Sequence, residues 1–208
     1  MIVKVCGMTE AENIRQVEQC GADWMGFICY DRSPRFVPAA PSYLPRRARR
    51  IGVFVDTGYA DIIRRADELG LHGVQLHGSE PPALCRALRK AGLTVVKTFA
   101  LSHADGLEAT ADYADVCDFF LFDTPCPQHG GSGRAFDWQL LNGYRGHVPF
   151  LLSGGLRPES LDALASFSHP RWAGIDLNSG FETRPGLKDA NALAAFLRSL
   201  REKLSIHL

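Results

Sequence analysis

The stretch IVKVCGMTEAENIRQVEQCGADWMGFI, residues 2–28, decides the fold. It opens on a short β-branched run, IVKVC (2–6), and closes on a second apolar run, DWMGFI (23–28). Apolar runs this short and this rich in β-branched or aromatic residues read as strands buried on both faces. Between them, TEAENIRQVEQCG (9–21) carries helical spacing. Thr9 stands where an N-cap belongs, carboxylates follow it, and Gly21 supplies the stop. The segment is one strand–helix unit followed by the next strand.

The same alternation continues to the far end of the chain. Further strand-like runs are IGVFV (51–55), GVQL (73–76), TVVKTF (94–99), DFFLF (118–122), HVPFLL (147–152) and WAGIDL (172–177). Helical spacing returns at 59–70, 80–92 and 189–204, and it is weakest at 136–145. The prolines of PAAPSYLPRRARR (38–50) predict a short helix before the third strand. Eight strand–helix units in 208 residues predict an α/β fold, a single (β/α)8 barrel. A doubly wound open sheet is the alternative. Polar, glycine-rich signals recur after successive strands rather than at one switch point, which favours the barrel. No linker, low-complexity tract or composition shift interrupts the chain, so residues 1–208 are expected to form one domain.

Composition narrows the function. The chain is 46% hydrophobic and 22% charged, and 23 basic residues balance 23 acidic ones. No net basic field recruits nucleic acid or an acidic membrane. The local cluster PRRARR (45–50) lacks interleaved aromatics and reads as the solvated end of a helix. No apolar run approaches the ~20 residues of a membrane span. The N-terminus shows no secretory signal pattern, so a cytoplasmic protein is expected. The six cysteines (Cys6, Cys20, Cys29, Cys85, Cys117 and Cys126) have no CxxC spacing, which argues against a zinc site or a disulfide framework.

Active sites of such barrels are built at the C-terminal ends of the strands. Strand 1 ends in Cys6-Gly7, strand 4 in Gln75-Leu76-His77, and strand 6 in Asp123-Thr124. Strand 7 ends in SGGL (153–156) and strand 8 in DLNSGFE (176–182). Small residues with free backbone N–H groups at two adjacent strand ends suit a phosphate site. GGSG (130–133) adds a loop able to close over a ligand, or simply a long turn. Cys6 and Asp123 fall roughly opposite each other across the mouth. A thiolate and a carboxyl group there suit general base and general acid work without a metal. Taken alone, Cys6 also reads as a buried strand cysteine, Asp123 as a turn residue, and His77 as a satisfied structural histidine. Lys4 and Lys97 lie on barrel strands, and burial demands a carboxylate partner for each. A Schiff-base role is the sharper reading of Lys97.

Several motifs then occur together, in order. They are KVCGMT (4–9), GADWMGFICYDRSPRFV (21–37), IGVFVD (51–56), VQLHGSE (74–80), VVKTF (95–99), FLFDT (120–124) with GGSGRAFDW (130–138), LLSGGLRPES (151–160) and GIDLNSGFETRPGLKD (174–189). Together they resemble the phosphoribosylanthranilate isomerase family over nearly the whole chain. The resemblance implies an Amadori rearrangement of N-(5-phosphoribosyl)anthranilate to 1-(o-carboxyphenylamino)-1-deoxyribulose 5-phosphate, in tryptophan biosynthesis and with no cofactor. It implies Cys6 as general base and Asp123 as general acid. It implies Arg35 against the anthranilate carboxylate, with Gly154, Gly155, Ser179 and Gly180 at the phosphate and Asp176 facing the substrate. It implies a monomer or homodimer whose partner is a small phosphorylated molecule, not nucleic acid or membrane. Met8 stands where Leu or Ile is common in the family.

Two rivals differ at named positions. The histidine-pathway barrel that performs the same rearrangement relies on two aspartates, and Cys6 stands where the first would be. A non-catalytic phosphosugar-binding barrel would lack Cys6 or Asp123. The assigned chemistry also asks each group to leave its ordinary state at neutral pH. Asp123 has to be protonated and Cys6 ionised, against ordinary pKa values of about 3.9 and 8.5.

Overall fold

The computed structural model describes residues 1–124 and 137–205. Eight parallel strands close on themselves in chain order. They are β1 (Ile2–Val5), β2 (Trp24–Ile28), β3 (Arg49–Phe54), β4 (Gly73–Leu76), β5 (Thr94–Ala100), β6 (Phe119–Asp123), β7 (Phe150–Leu152) and β8 (Trp172–Leu177). Closure is made by β1 on β8, with Lys4 opposite Asp176 in register. The GGSG segment and Cys126 lie outside the described residues.

Alternation along each strand sorts the side chains into two bodies. Trp24, Ile51, Val96, Leu121 and Leu151 form a separate apolar cluster. They share strand parity with the pocket-lining Val53, Asp123 and Ser153, so they plug the barrel beneath that pocket. Trp24 meets Phe119 edge to face at 5.1 Å inside this plug. The opposite faces of the strands belong to the larger core, with Phe120, Phe122 and Phe150 fully buried. Each such side chain stabilises the fold by about 1.5–3 kcal/mol.

The helices are α1 (Ala11–Gln19), α2 (Tyr59–Leu69), α3 (Pro82–Lys90), α4 (Leu161–Ser166) and α5 (Ala190–Ser205). Three expectations need correction. The N-cap of α1 is Glu10, not Thr9, and no side chain caps it. The Thr9 hydroxyl instead donates to the Gly186 carbonyl, 2.9 Å away. Residues 29–48 form no helix between β2 and β3. Glu18 organises the end of that segment, its Oε1 accepting from the amides of Arg46, Arg47 and Ala48 at 2.7, 2.6 and 3.2 Å. PRRARR is therefore not a helix end: its backbone is tied to Glu18, and Arg49 and Arg50 begin β3. After β5 and β6 the connections are 3₁₀ turns, Ala104–Tyr113 and Trp138–Gly143. The second matches the segment of weakest helical spacing. Past β8, a small antiparallel hairpin, β9 (Glu182–Arg184) and β10 (Leu187–Lys188), precedes α5.

Candidate active site

A pocket of about 670 Å³, partly open to solvent, lies at the C-terminal end of the barrel. Cys6, His77, Asp123, Gly154, Gly155, Asp176 and Ser179 all line it. The strand ends thus bring together the thiol, the carboxyl group and the glycine loops selected from the sequence. Gly180 follows Ser179 in a 3₁₀ turn and packs on the Leu156 carbonyl, joining the loops after β7 and β8.

Cys6 is 4% exposed and follows β1, its amide bonded to the Leu177 carbonyl at 2.8 Å. Its sulfur rests on Gly26 of β2, where an added methyl group would sit 2.7 Å from Sγ. Burial pushes the thiol above its ordinary 9.0, while Lys4 and Lys188 pull it back in part. Two residues below on the same inner face, the fully buried Lys4 Nζ meets Asp176 Oδ1 at 2.8 Å. Burial works against the Lys4 ammonium, but Asp176 outweighs it and holds the pKa above 10.5. Asp176 therefore faces the pocket already bonded to a lysine.

Asp123 ends β6 across the pocket. Burial pushes its carboxyl up to about 6, against the Thr124 amide, which donates to Oδ1 at 2.8 Å. His77 Nε2 lies 3.7 Å from Asp123 Oδ2. The Gln75 amide nitrogen faces His77 Nδ1 at 3.0 Å and Thr98 Oγ1 at 3.3 Å. Gly154 has φ +83°, and a methyl group there would press into Thr124 Oγ1 and come within 2.8 Å of Asp123 Oδ1. Glycine lets the loop after β7 approach the acid. Gly155, at φ +64°, continues a side-chain-free backbone along the pocket wall.

Arg35 does not line the pocket: it lies on the irregular segment after β2, its stem beside Gly7. Its Nε donates to both Glu182 oxygens, at 2.9 and 3.1 Å, and its Nη2 donates to Oε2 at 2.6 Å. Among the described residues Nη1 has no hydrogen-bond partner, and the side chain is 12% exposed. Lys97 points the other way, into the core. It bonds Glu80 Oε2 at 3.2 Å and the Gly78 carbonyl at 2.7 Å, away from the pocket. Both strand lysines thus meet carboxylates, and the Schiff-base reading of Lys97 loses its geometry.

Glu182, Lys188, Asn178 and Ser153 all lie inside motifs quoted from the sequence, but no role is assigned to them there; Ser153 and Asn178 line the pocket. Glu182 and Lys188 flank the Pro185-Gly186 turn, a hairpin signal that could have drawn attention to them.

Fold and site define the class: a (β/α)8-barrel enzyme with a buried thiol and a buried carboxyl group at its mouth. Residues 3–199 match the family model for N-(5'phosphoribosyl)anthranilate (PRA) isomerase, and the chain belongs to that family. An N-(5'-phosphoribosyl)anthranilate isomerase of Phocaeicola vulgatus is 55% identical over 204 residues, covering 98% of this chain and 100% of the relative. Monomers generated from the dimeric phosphoribosylanthranilate isomerase of Thermotoga maritima superpose with a TM-score of 0.80 at 31% identity, covering 97% of this chain and 100% of theirs. A phosphoribosylanthranilate isomerase in complex with reduced 1-(o-carboxyphenylamino)-1-deoxyribulose 5-phosphate gives the same score, identity and coverage.

Proposed function

We infer that the chain isomerises N-(5'-phosphoribosyl)anthranilate to 1-(o-carboxyphenylamino)-1-deoxyribulose 5-phosphate, a step of tryptophan biosynthesis. The observation that carries the mechanism is the buried Asp123 carboxyl, pushed up to about 6, in one pocket with Cys6. Asp123 in its acid form gives a proton to the furanose ring oxygen. The C1–O bond breaks as the anilino nitrogen lone pair forms the iminium. The iminium acidifies the C2 proton, which the Cys6 thiolate removes. The resulting enolamine tautomerises to the ketone. Each step is a proton transfer that these two side chains serve. His77 Nε2, the Thr124 amide and the Ser153 hydroxyl then face the carboxylate left on Asp123.

The phosphate sits against Gly154, Gly155, Ser179 and Gly180, whose backbone amides suit an anion. Arg35 offers Nη1 to the aryl carboxylate, a charge-assisted contact. Among the described residues no helix is long and apolar enough to cross a membrane. The reading is of a cytoplasmic enzyme, monomeric or homodimeric, and light scattering decides the latter.

The test follows anthranilate-type fluorescence of freshly made substrate with no metal added. Wild type consumes it, and Cys6→Ser and Asp123→Asn are each slowed at least ~100-fold. An inert wild type refutes the activity. An unimpaired Cys6→Ser variant leaves fold and substrate standing and returns the cysteine to the core.

A further inference from the structure

The hairpin β9–β10 holds two buried charges that the acid–base steps leave unused. The Glu182 and Lys188 side chains are 5% and 0% exposed. Glu182 sits between two cations. Its Oε1 accepts from Lys188 Nζ at 2.5 Å, and both its oxygens take the Arg35 fork. The Gly186 amide adds a further donor at 3.0 Å. Oε1 thus accepts from three donors and Oε2 from the Arg35 fork.

Arg35 needs such an anchor. Its segment lacks regular structure: an isolated bridge at Phe36 ties it to Ile28 of β2, and Arg65 of α2 holds the Val37 and Pro38 carbonyls beyond it, but neither fixes the Arg35 side chain. Its own amide is held by Ser33 Oγ at 3.2 Å. A long side chain on such a segment carries rotamer freedom that ligand binding has to remove. Glu182 removes it beforehand. The Arg35 stem is laid over the turn after Cys6, where a methyl group at Gly7 would fall 2.6 Å from Cδ.

The anchor is itself fastened. Lys188 donates to Asn178 Oδ1 at 2.8 Å, at the pocket wall. Asn13 of α1 grips the Lys188 backbone from both sides, at 2.9 and 2.8 Å. Thr9 holds the Gly186 carbonyl. The hairpin is therefore bolted to the β1–α1 turn and to α1.

We propose that Glu182 is a positioning residue: it fixes the Arg35 guanidinium above the Cys6–Gly7 turn, and so sets how tightly and how selectively the substrate's aryl carboxylate is held. The inference rests on the assignment of Arg35 to that carboxylate. It separates two roles. Arg35 touches the ligand, while Glu182 acts only through Arg35. Stability alone does not call for this bridge, because well-packed apolar residues often replace a buried ion pair at no loss.

The test uses two ligands and four proteins. The ligands are reduced 1-(o-carboxyphenylamino)-1-deoxyribulose 5-phosphate and its 1-phenylamino counterpart, which lacks only the carboxylate. The proteins are wild type, Glu182→Gln, Arg35→Met and the double variant. Calorimetric titration gives each Kd. Glu182→Gln weakens the carboxylated ligand by about tenfold to a hundredfold, the range for a lost charged hydrogen-bond partner. It leaves the phenylamino ligand within about twofold. In the Arg35→Met background it has no further effect on either ligand, since neighbours acting through one contact are not additive.

Equal weakening of both ligands, or an additive loss in the double variant, overturns the proposal and leaves Glu182 a structural residue. If Arg35→Met discriminates between the ligands and Glu182→Gln does not, only the role of Glu182 falls. If Arg35→Met itself fails to discriminate, the Arg35 assignment falls as well. Should Glu182→Gln not fold, Glu182→Gln combined with Lys188→Met removes both buried charges of the hairpin and is read in the same way.

Discussion

The pH dependence of kcat/KM tests the site more severely than any single substitution. The mechanism needs Asp123 protonated and Cys6 ionised. Burial pushes Asp123 up to about 6, and burial also pushes Cys6 above 9.0. Between these values the dominant free enzyme carries the opposite arrangement, a carboxylate and a thiol. The ratio of productive to dominant form is set by the pKa gap alone. With the thiol pushed up by burial and the carboxyl near 6, the productive form is a small minority of the free enzyme. That fraction does not change with pH inside the window. kcat/KM is therefore flat from about pH 6 up to the raised thiol pKa, falls tenfold per unit below that window, and falls again above it. The assay is the initial rate of substrate fluorescence loss at substrate concentrations far below KM, across this range. The substrate phosphate also loses a proton near pH 6. Asp123→Asn separates the two: the inflection near 6 disappears if it belongs to Asp123 and persists if it belongs to the phosphate. A continuous tenfold-per-unit decline starting just above pH 6 refutes the reasoning. It would mean that the field of Lys4, Lys188 and Arg35 beats desolvation and that the thiolate is already formed.

Four further outcomes follow. Lys97→Met leaves Glu80 buried and charged without its ammonium, so it costs about 3–5 kcal/mol in urea unfolding; a cost under ~1 kcal/mol contradicts a genuine buried pair. Gly154→Ala combines a strained φ of +83° with contact on Asp123 and Thr124, so kcat/KM falls ~100-fold and inorganic phosphate competes more weakly. Gly92→Ala, at φ +88° in open space, shows the strain alone, about 1–2 kcal/mol of stability with KM unchanged. Burial raises the Glu182 carboxyl, but Arg35 and Lys188 outweigh it and hold the group below its ordinary 4.5. A depressed carboxyl stabilises the fold above its unfolded pKa and loses that contribution as pH falls through the folded value. The stability gap between wild type and Glu182→Gln is thus full above pH 4.5 and closes on acidification; a gap that does not change with pH contradicts the shift.

The barrel was legible because its signals are local. Each strand is a short run buried on both faces, and GVQL and WAGIDL match the observed strands residue for residue. Cys6, His77, Asp123 and the glycines were legible for the same reason, since strand ends in this topology converge on one face. What escaped the sequence reading depends on partners far along the chain. Thr9 looked like a helix cap, yet its hydroxyl is taken by Gly186, 177 residues away. Glu18 looked like one more helix carboxylate, yet it satisfies three amides of a segment that therefore needs no helix. Glu182 is the sharpest instance. Nothing adjacent to it in the chain announces that it will meet Arg35, 147 residues earlier. Its hydrophilicity alone argues for an exposed loop, and it becomes a site residue only when barrel closure sets β8 beside β1. Periodicity therefore reports the scaffold and the groups that strand ends carry by themselves. The residues that orient those groups are specified by closure, and for them the coordinates come first.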